Sequence, residues 1–194
     1  MPGFRPPIRA VGVIGAGKVG RDIALAAAMG GYRTILEDLL PNALRRAEYE
    51  LRNILDQAIK SGILSPDAAD AVFSRLEFAG TVEDAARQSD LVIEAGPEEL
   101  ESKIEIFTLL DKICRPGAIL VSNLVALSIT EIARVTYRAR DCIGMRFADP
   151  MNRGRLEIIR GLETDDEALA IVAEVGKRMG REVIVVKDDA GILP

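Results

Sequence analysis

A doubly wound α/β fold, with a mostly parallel sheet and helices on both of its faces, is predicted by three observations. Apolar runs of strand length alternate with amphipathic stretches of helix length along nearly the whole chain. The first of these runs leads directly into a glycine-rich loop, Gly15-Ala16-Gly17-Lys18-Val19-Gly20. The connections between runs are mostly of helix length, which parallel neighbours require and hairpins do not.

The elements follow in order. Ala10–Ile14 is too short for a helix and is closed by Gly15, so it reads as a buried strand. The Ala-rich stretch 21–29 ends at Gly30-Gly31, a helix with a glycine stop. Residues 34–36 form the next strand, closed by the acidic pair Glu37-Asp38. Residues 41–61 make a long amphipathic helix ending at Gly62, and Ser65-Pro66-Asp67 starts another with a serine cap and a proline at the first helical position. A strand at 91–94, a helix at 100–112 and, after the Pro116-Gly117 turn, a strand at 118–121 come next. Ser128 to Glu131 has the spacing of a capping box and opens a helix. Residues 142–145 and 156–159 read as short strands. Thr164 to Glu167 is a second capping box, opening a helix to residue 179 that stops at Gly180. Residues 182–186 are the last strand. The Pro-rich stretch 1–9 reads as a flexible tail, and 10–194 as one domain.

Composition narrows the function. A net charge of −5 argues against a nucleic-acid partner, which needs clustered Lys and Arg. No apolar run approaches the roughly 20 residues that span a bilayer, so no membrane partner is expected. The first ten residues lack an apolar signal core, and a cytoplasmic location is the expectation. Cys114 and Cys142 fit no metal motif and read as reduced thiols; no metal is expected. The sequence contains no histidine, which closes any scheme needing an imidazole from this chain.

The loop at 15–20 fits G-x-G-x-x-G, follows a predicted strand and opens a predicted helix, with an acid ending the next strand. That context marks a Rossmann-type dinucleotide site. Gly15 permits the tight turn, Gly17 lets backbone approach a pyrophosphate, and Gly20 lets the helix pack closely on the sheet. The backbone of Gly15, Ala16, Gly17, Lys18, Val19 and Gly20 then presents a helix N-terminus to the phosphates. Asp38 is the preferred ribose ligand and Glu37 its competitor. A carboxylate there accepts from a 2′-hydroxyl and repels a 2′-phosphate, favouring NAD over NADP.

Beyond the loop the chain resembles the NAD-binding domain of the 3-hydroxyacyl-CoA dehydrogenase family. The segments that carry the resemblance are VGVIGAGKVG at 11–20, DLVIEAGPEELESK at 90–103, SNLVALSITEIA at 122–133, RLEIIRG at 155–161 and VIVVKDDAG at 183–191. It implies hydride exchange between NAD and a 3-hydroxyacyl-CoA, and cofactor contacts from Glu98 and Lys103. Glu98 also follows a predicted strand end, where ligands bind in such sheets.

The departures are at the chemistry. Where the family carries a substrate-holding serine this chain has Val125, and where it carries the catalytic histidine this chain has Arg146. The histidine's glutamate partner corresponds to Glu157. Arginine keeps its proton up to a pKa above about 12, so Arg146 cannot act as a base. Asp149 is the substitute base the segment offers, Glu157 is the retained partner of the lost histidine, and Arg146 is a fixed positive charge at the histidine's position. The family's second, mostly helical domain, which covers the acyl chain and makes the dimer, has no counterpart up to Pro194. Two readings follow. One is the NAD-binding domain of such an oxidoreductase, impaired or incomplete alone, that meets an acyl-CoA and associates as a homo-oligomer or with a separate chain. The other is a non-catalytic NAD-binding pseudoenzyme acting as a sensor or assembly subunit.

Overall fold

The computed structural model describes residues 7–147 and 154–188. Among the described residues eight strands, β1 (Ala10–Ile14), β2 (Arg33–Glu37), β3 (Leu76–Ala79), β4 (Leu91–Glu94), β5 (Ile119–Asn123), β6 (Cys142–Phe147), β7 (Arg155–Arg160) and β8 (Glu182–Lys187), form one sheet. Their spatial order is β3-β2-β1-β4-β5-β6-β7-β8. The helices are α1 (Lys18–Met29), α2 (Pro41–Lys60), α3 (Pro66–Phe73), α4 (Val82–Ala86), α5 (Leu100–Ile113), α6 (Ile129–Ala133) and α7 (Asp166–Arg178). The chain builds outward from β1 to β3, then returns to place β4 on the other side of β1. The crevice above β1 and β4 is therefore the topological switch point, where ligands bind in open α/β sheets.

All neighbours pair in parallel except β6 and β7. The stretch between Phe147 and Arg155 is too short for a crossover helix, so β7 turns back beside β6. That reversal sets Arg146 directly opposite Glu157.

Alternation along each strand divides the core between the two faces. Val11, Val13, Leu36 and Ile93 pack with α1, α2, α3 and α7. Ile14, Ile35, Val92 and Leu120 pack with α4, α5 and α6. Residues buried on both faces give the near-continuous apolar runs that identified the strands in sequence.

Two predicted features change. The strand β3 and helix α4 have no counterpart in the sequence reading, because Leu-Glu-Phe-Ala and a five-residue helix are too short for a periodicity to declare itself. The cap of α7 is Asp165, whose side chain accepts from the Glu167 amide, and not Thr164. Thr164 is buried and its hydroxyl is already committed, accepting from the Gly161 amide at 3.0 Å and donating to the Cys142 carbonyl at 2.8 Å. Ser65 and Ser128 do cap as expected, accepting from the Ala68 and Glu131 amides.

Candidate dinucleotide site

The site is built on the carboxyl ends of β1, β2, β4 and β5. Gly15 leaves β1 at φ +102°, a conformation that side chains rarely adopt, and its amide donates to the Glu37 carbonyl at 2.9 Å. A Cβ on Gly20 would stand 1.8 Å from the Gly15 carbonyl oxygen, so only glycine lets α1 start this close to the strand. A Cβ on Gly17 would meet nothing within 4 Å. Gly17 precedes α1 with a β-region backbone and no side-chain cap, so it leaves the front of the helix open. An open approach to uncapped amides at the positive end of a helix dipole fits a pyrophosphate.

This separation of roles makes a prediction. Gly17→Ala should change stability by less than about 1 kcal/mol, since its φ of −62° suits alanine. It should weaken NADH by at least about tenfold, because the new methyl occupies the approach. Thermal melting and a fluorescence titration of one preparation check both.

The carboxylate of Asp38 reaches back to the loop, accepting from the Ala16 amide at 3.0 Å and from the Leu40 amide at 2.9 Å. It sits half-buried at the rim, while Glu37 points between the layers and is 2% exposed. Lys18 extends outward and pairs with Asp22, and Val19 is exposed. Leu39, Leu40, Val82 and Ile106 line a cleft of about 390 Å³ that begins at Asp38 and suits a flat apolar-faced group.

At the other side of β1 the structure assembles a buried charged cluster that sequence reading did not find. Glu94, ending β4, accepts from the Gly96 amide at 2.6 Å and the Ser122 hydroxyl at 2.6 Å. Lys103, 1% exposed, donates to both Glu94 oxygens at 3.1 and 2.8 Å and to the Asn123 carbonyl at 3.0 Å. The signal available in the sequence was a single acid closing an otherwise apolar strand, Leu-Val-Ile-Glu. Glu98 accepts three amides in succession, Val125 and Ala126 at 2.8 Å and Leu127 at 3.1 Å. Burial works against the Glu98 carboxylate, but those amides and Lys103 outweigh it and hold its pKa below the ordinary value. Glu98 and Lys103 are thus brought together beside the loop after β5.

The residues that the resemblance places at the catalytic positions form a separate group. The Arg146 guanidinium is paired with Glu157, and its Nε donates to the Val125 carbonyl at 3.3 Å. Val125 itself is exposed. Asp149 lies outside the described residues. Among the described residues no group of three or more His, Cys, Asp or Glu side chains is placed to hold a metal ion. Both cysteines are free and buried, and burial pushes the Cys114 and Cys142 thiols up to about 11 and about 12. Among the described residues no helix is long and apolar enough to cross a membrane.

Residues 10–189 match the family described as 3-hydroxyacyl-CoA dehydrogenase, NAD binding domain. The chain is 36% identical over 187 residues to a Bacillus subtilis protein named a probable 3-hydroxybutyryl-CoA dehydrogenase, covering 96% of this chain and 65% of that one. The structure is similar to (S)-3-hydroxybutyryl-CoA dehydrogenase from Ralstonia eutropha, with a TM-score of 0.90 at 33% identity, covering 96% of this chain and 66% of that chain. It is also similar to 3-hydroxybutyryl-CoA dehydrogenase from Escherichia coli, with a TM-score of 0.91 at 29% identity, covering 94% of this chain and 39% of that chain. The chain spans less than two thirds of the length of the first curated relatives it matches. The glycine loop, the acid that ends β2 and the match over residues 10–189 agree: this chain belongs to the 3-hydroxyacyl-CoA dehydrogenase family, and it is the family's NAD-binding Rossmann domain.

Proposed function

We propose that this chain holds NAD(H) for a 3-hydroxyacyl-CoA-directed oxidoreductase reaction, and that on its own it does not carry the reaction's proton. The observation that supports this is the Arg146–Glu157 pair at the positions of the family's histidine and glutamate. When bound, NAD supplies a hydride acceptor. The amides of Gly17, Lys18, Val19 and Gly20 face the pyrophosphate, those of Gly15 and Ala16 hold the loop on Glu37 and Asp38, and Asp38 accepts the adenosine ribose hydroxyls. Glu98 shapes the 125–127 loop through its three amide bonds, and Lys103 holds Glu94 beside it; both are positioning residues for the nicotinamide end. What the histidine's position lacks is a base. Oxidising a secondary alcohol releases a proton as well as a hydride, and a guanidinium has no lone pair to take it. Glu157 is engaged by that guanidinium.

The test is direct. NADH is titrated by its fluorescence, acetoacetyl-CoA is added, and nicotinamide absorbance is followed. Saturable binding with flat absorbance is expected. Oxidation of NADH by the chain alone contradicts the proposal.

An acyl-CoA and a second copy, or a separate chain, complete the same reading. Val125 at 67% and Leu162 at 80% exposure support it, as apolar surface beside a cleft is commonly covered in an assembly. Light scattering should report a species larger than one chain at high concentration. A clean monomer throughout counts against that association.

A further inference from the structure

We propose that Glu37 is a proton-bearing member of the dinucleotide site, so that the adenosine half of NAD binds together with a proton. The inference rests on the cofactor reading above and concerns a side chain that reading leaves unused.

Glu37 and Glu94 are a matched pair. Register places both beside Ile14, Glu37 on β2 and Glu94 on β4, and alternation turns both toward the same face of the sheet. Glu94 has a cation, an amide and a hydroxyl. Glu37 has neither a cation nor a hydroxyl, and the backbone hydrogen bond from Gly15 offsets its burial only in part. Its Oε1 is buried without a hydrogen-bond partner, and the cleft it lines, among the described residues, contains no Lys or Arg.

Asp38 adjoins Glu37 in the chain and lines the same cleft. Glu94 lines it from β4, and Lys103 on α5 is turned onto Glu94. On β3, Glu77 is paired with Arg33. Apart from the Gly15 backbone and Ser102, the surroundings of Glu37 are anionic or apolar. Burial first, and then Asp38, push its carboxyl up to about 7.

A dinucleotide adds two phosphate charges at the front of α1, next to Gly15. They raise the cost of an ionised Glu37 further. The neutral carboxyl relieves it and offers an O–H donor and a C=O acceptor to a ligand hydroxyl, amine or ring nitrogen. The sign follows: below neutrality Glu37 already holds its proton and binding is strongest. Above about pH 7 the free protein loses that proton, and binding must recover it.

The experiment measures NADH affinity by fluorescence from pH 6 to pH 9 for the wild type and for Glu37→Gln, a neutral carboxyl mimic. Calorimetry in two buffers of different ionisation enthalpy reads the proton taken up, with ADP-ribose as the ligand lacking nicotinamide. The wild-type Kd should rise above about pH 7, toward about tenfold per pH unit. Glu37→Gln should bind with little pH dependence, and ADP-ribose should carry the same proton uptake as NADH. If Glu37→Gln does not fold by circular dichroism, the wild-type proton uptake decides alone. NADH binding with a flat profile and no proton uptake overturns the inference and leaves the cofactor reading standing. So does a Glu37→Gln profile with the wild-type slope, or linkage absent with ADP-ribose. No NADH binding to folded protein at any pH overturns both.

Discussion

Lys103→Met should destabilise the domain by about 3–5 kcal/mol, because it leaves a carboxylate buried without its cation. Lys103 is 1% exposed and makes three bonds within 3.1 Å, two to Glu94 and one to the Asn123 carbonyl. Glu94, at 2% exposure, would keep the Gly96 amide and the Ser122 hydroxyl. Those two donors cannot neutralise a full charge out of water. Adding Glu94→Gln to Lys103→Met should recover much of the loss, since the pair together costs little to replace. Urea unfolding of the wild type, both single variants and the double variant measures the coupling. Additive losses would mean that the two side chains act independently and would refute the account of the cluster.

Gly20→Ala is the second large effect, and it is steric. The added methyl would lie 1.8 Å from the Gly15 carbonyl, a backbone atom that cannot turn aside. Relief requires α1 to lift from β1, which moves the amides at the front of the helix. Destabilisation of about 3 kcal/mol or more is expected, at the upper end of overpacking costs. NADH binding should be lost even where the protein remains folded. A Gly20→Ala variant that melts and binds like the wild type would show that the loop does not need the close approach. Gly17→Ala is the internal control, since its methyl meets only open space.

Much of this was legible one-dimensionally. Gly15, Gly17 and Gly20 declare a turn, an approach and a contact because each answers a local backbone demand that neighbouring residues already reveal. Ser65 and Ser128 cap their helices for the same reason. Thr164 has the cap spacing too, yet its hydroxyl is spent on the Gly161 amide and the Cys142 carbonyl. That competition crosses from β7 to β6 and leaves no trace in the sequence around it. Glu37 and Asp38 look interchangeable as letters, but strand alternation sends the first between the layers and leaves the second at the rim. Lys103 lies on a helix with acids on both sides of it, and nothing in that pattern shows that its ammonium folds inward onto β4. The Arg146–Glu157 pair needed the antiparallel turn of β7, which follows from the short connection, and the exact register, which does not.

The central claim is that this chain holds NAD at the glycine loop with Asp38 against the ribose, and one side-by-side titration tests it. NADH and NADPH are each added to the purified chain at fixed ionic strength, and nicotinamide fluorescence is read to saturation. A saturable NADH signal is expected, with NADPH at least about tenfold weaker, because a carboxylate at Asp38 set against the ribose would repel a 2′-phosphate. No NADH binding by the folded chain, or equal affinity for the two coenzymes, would contradict it.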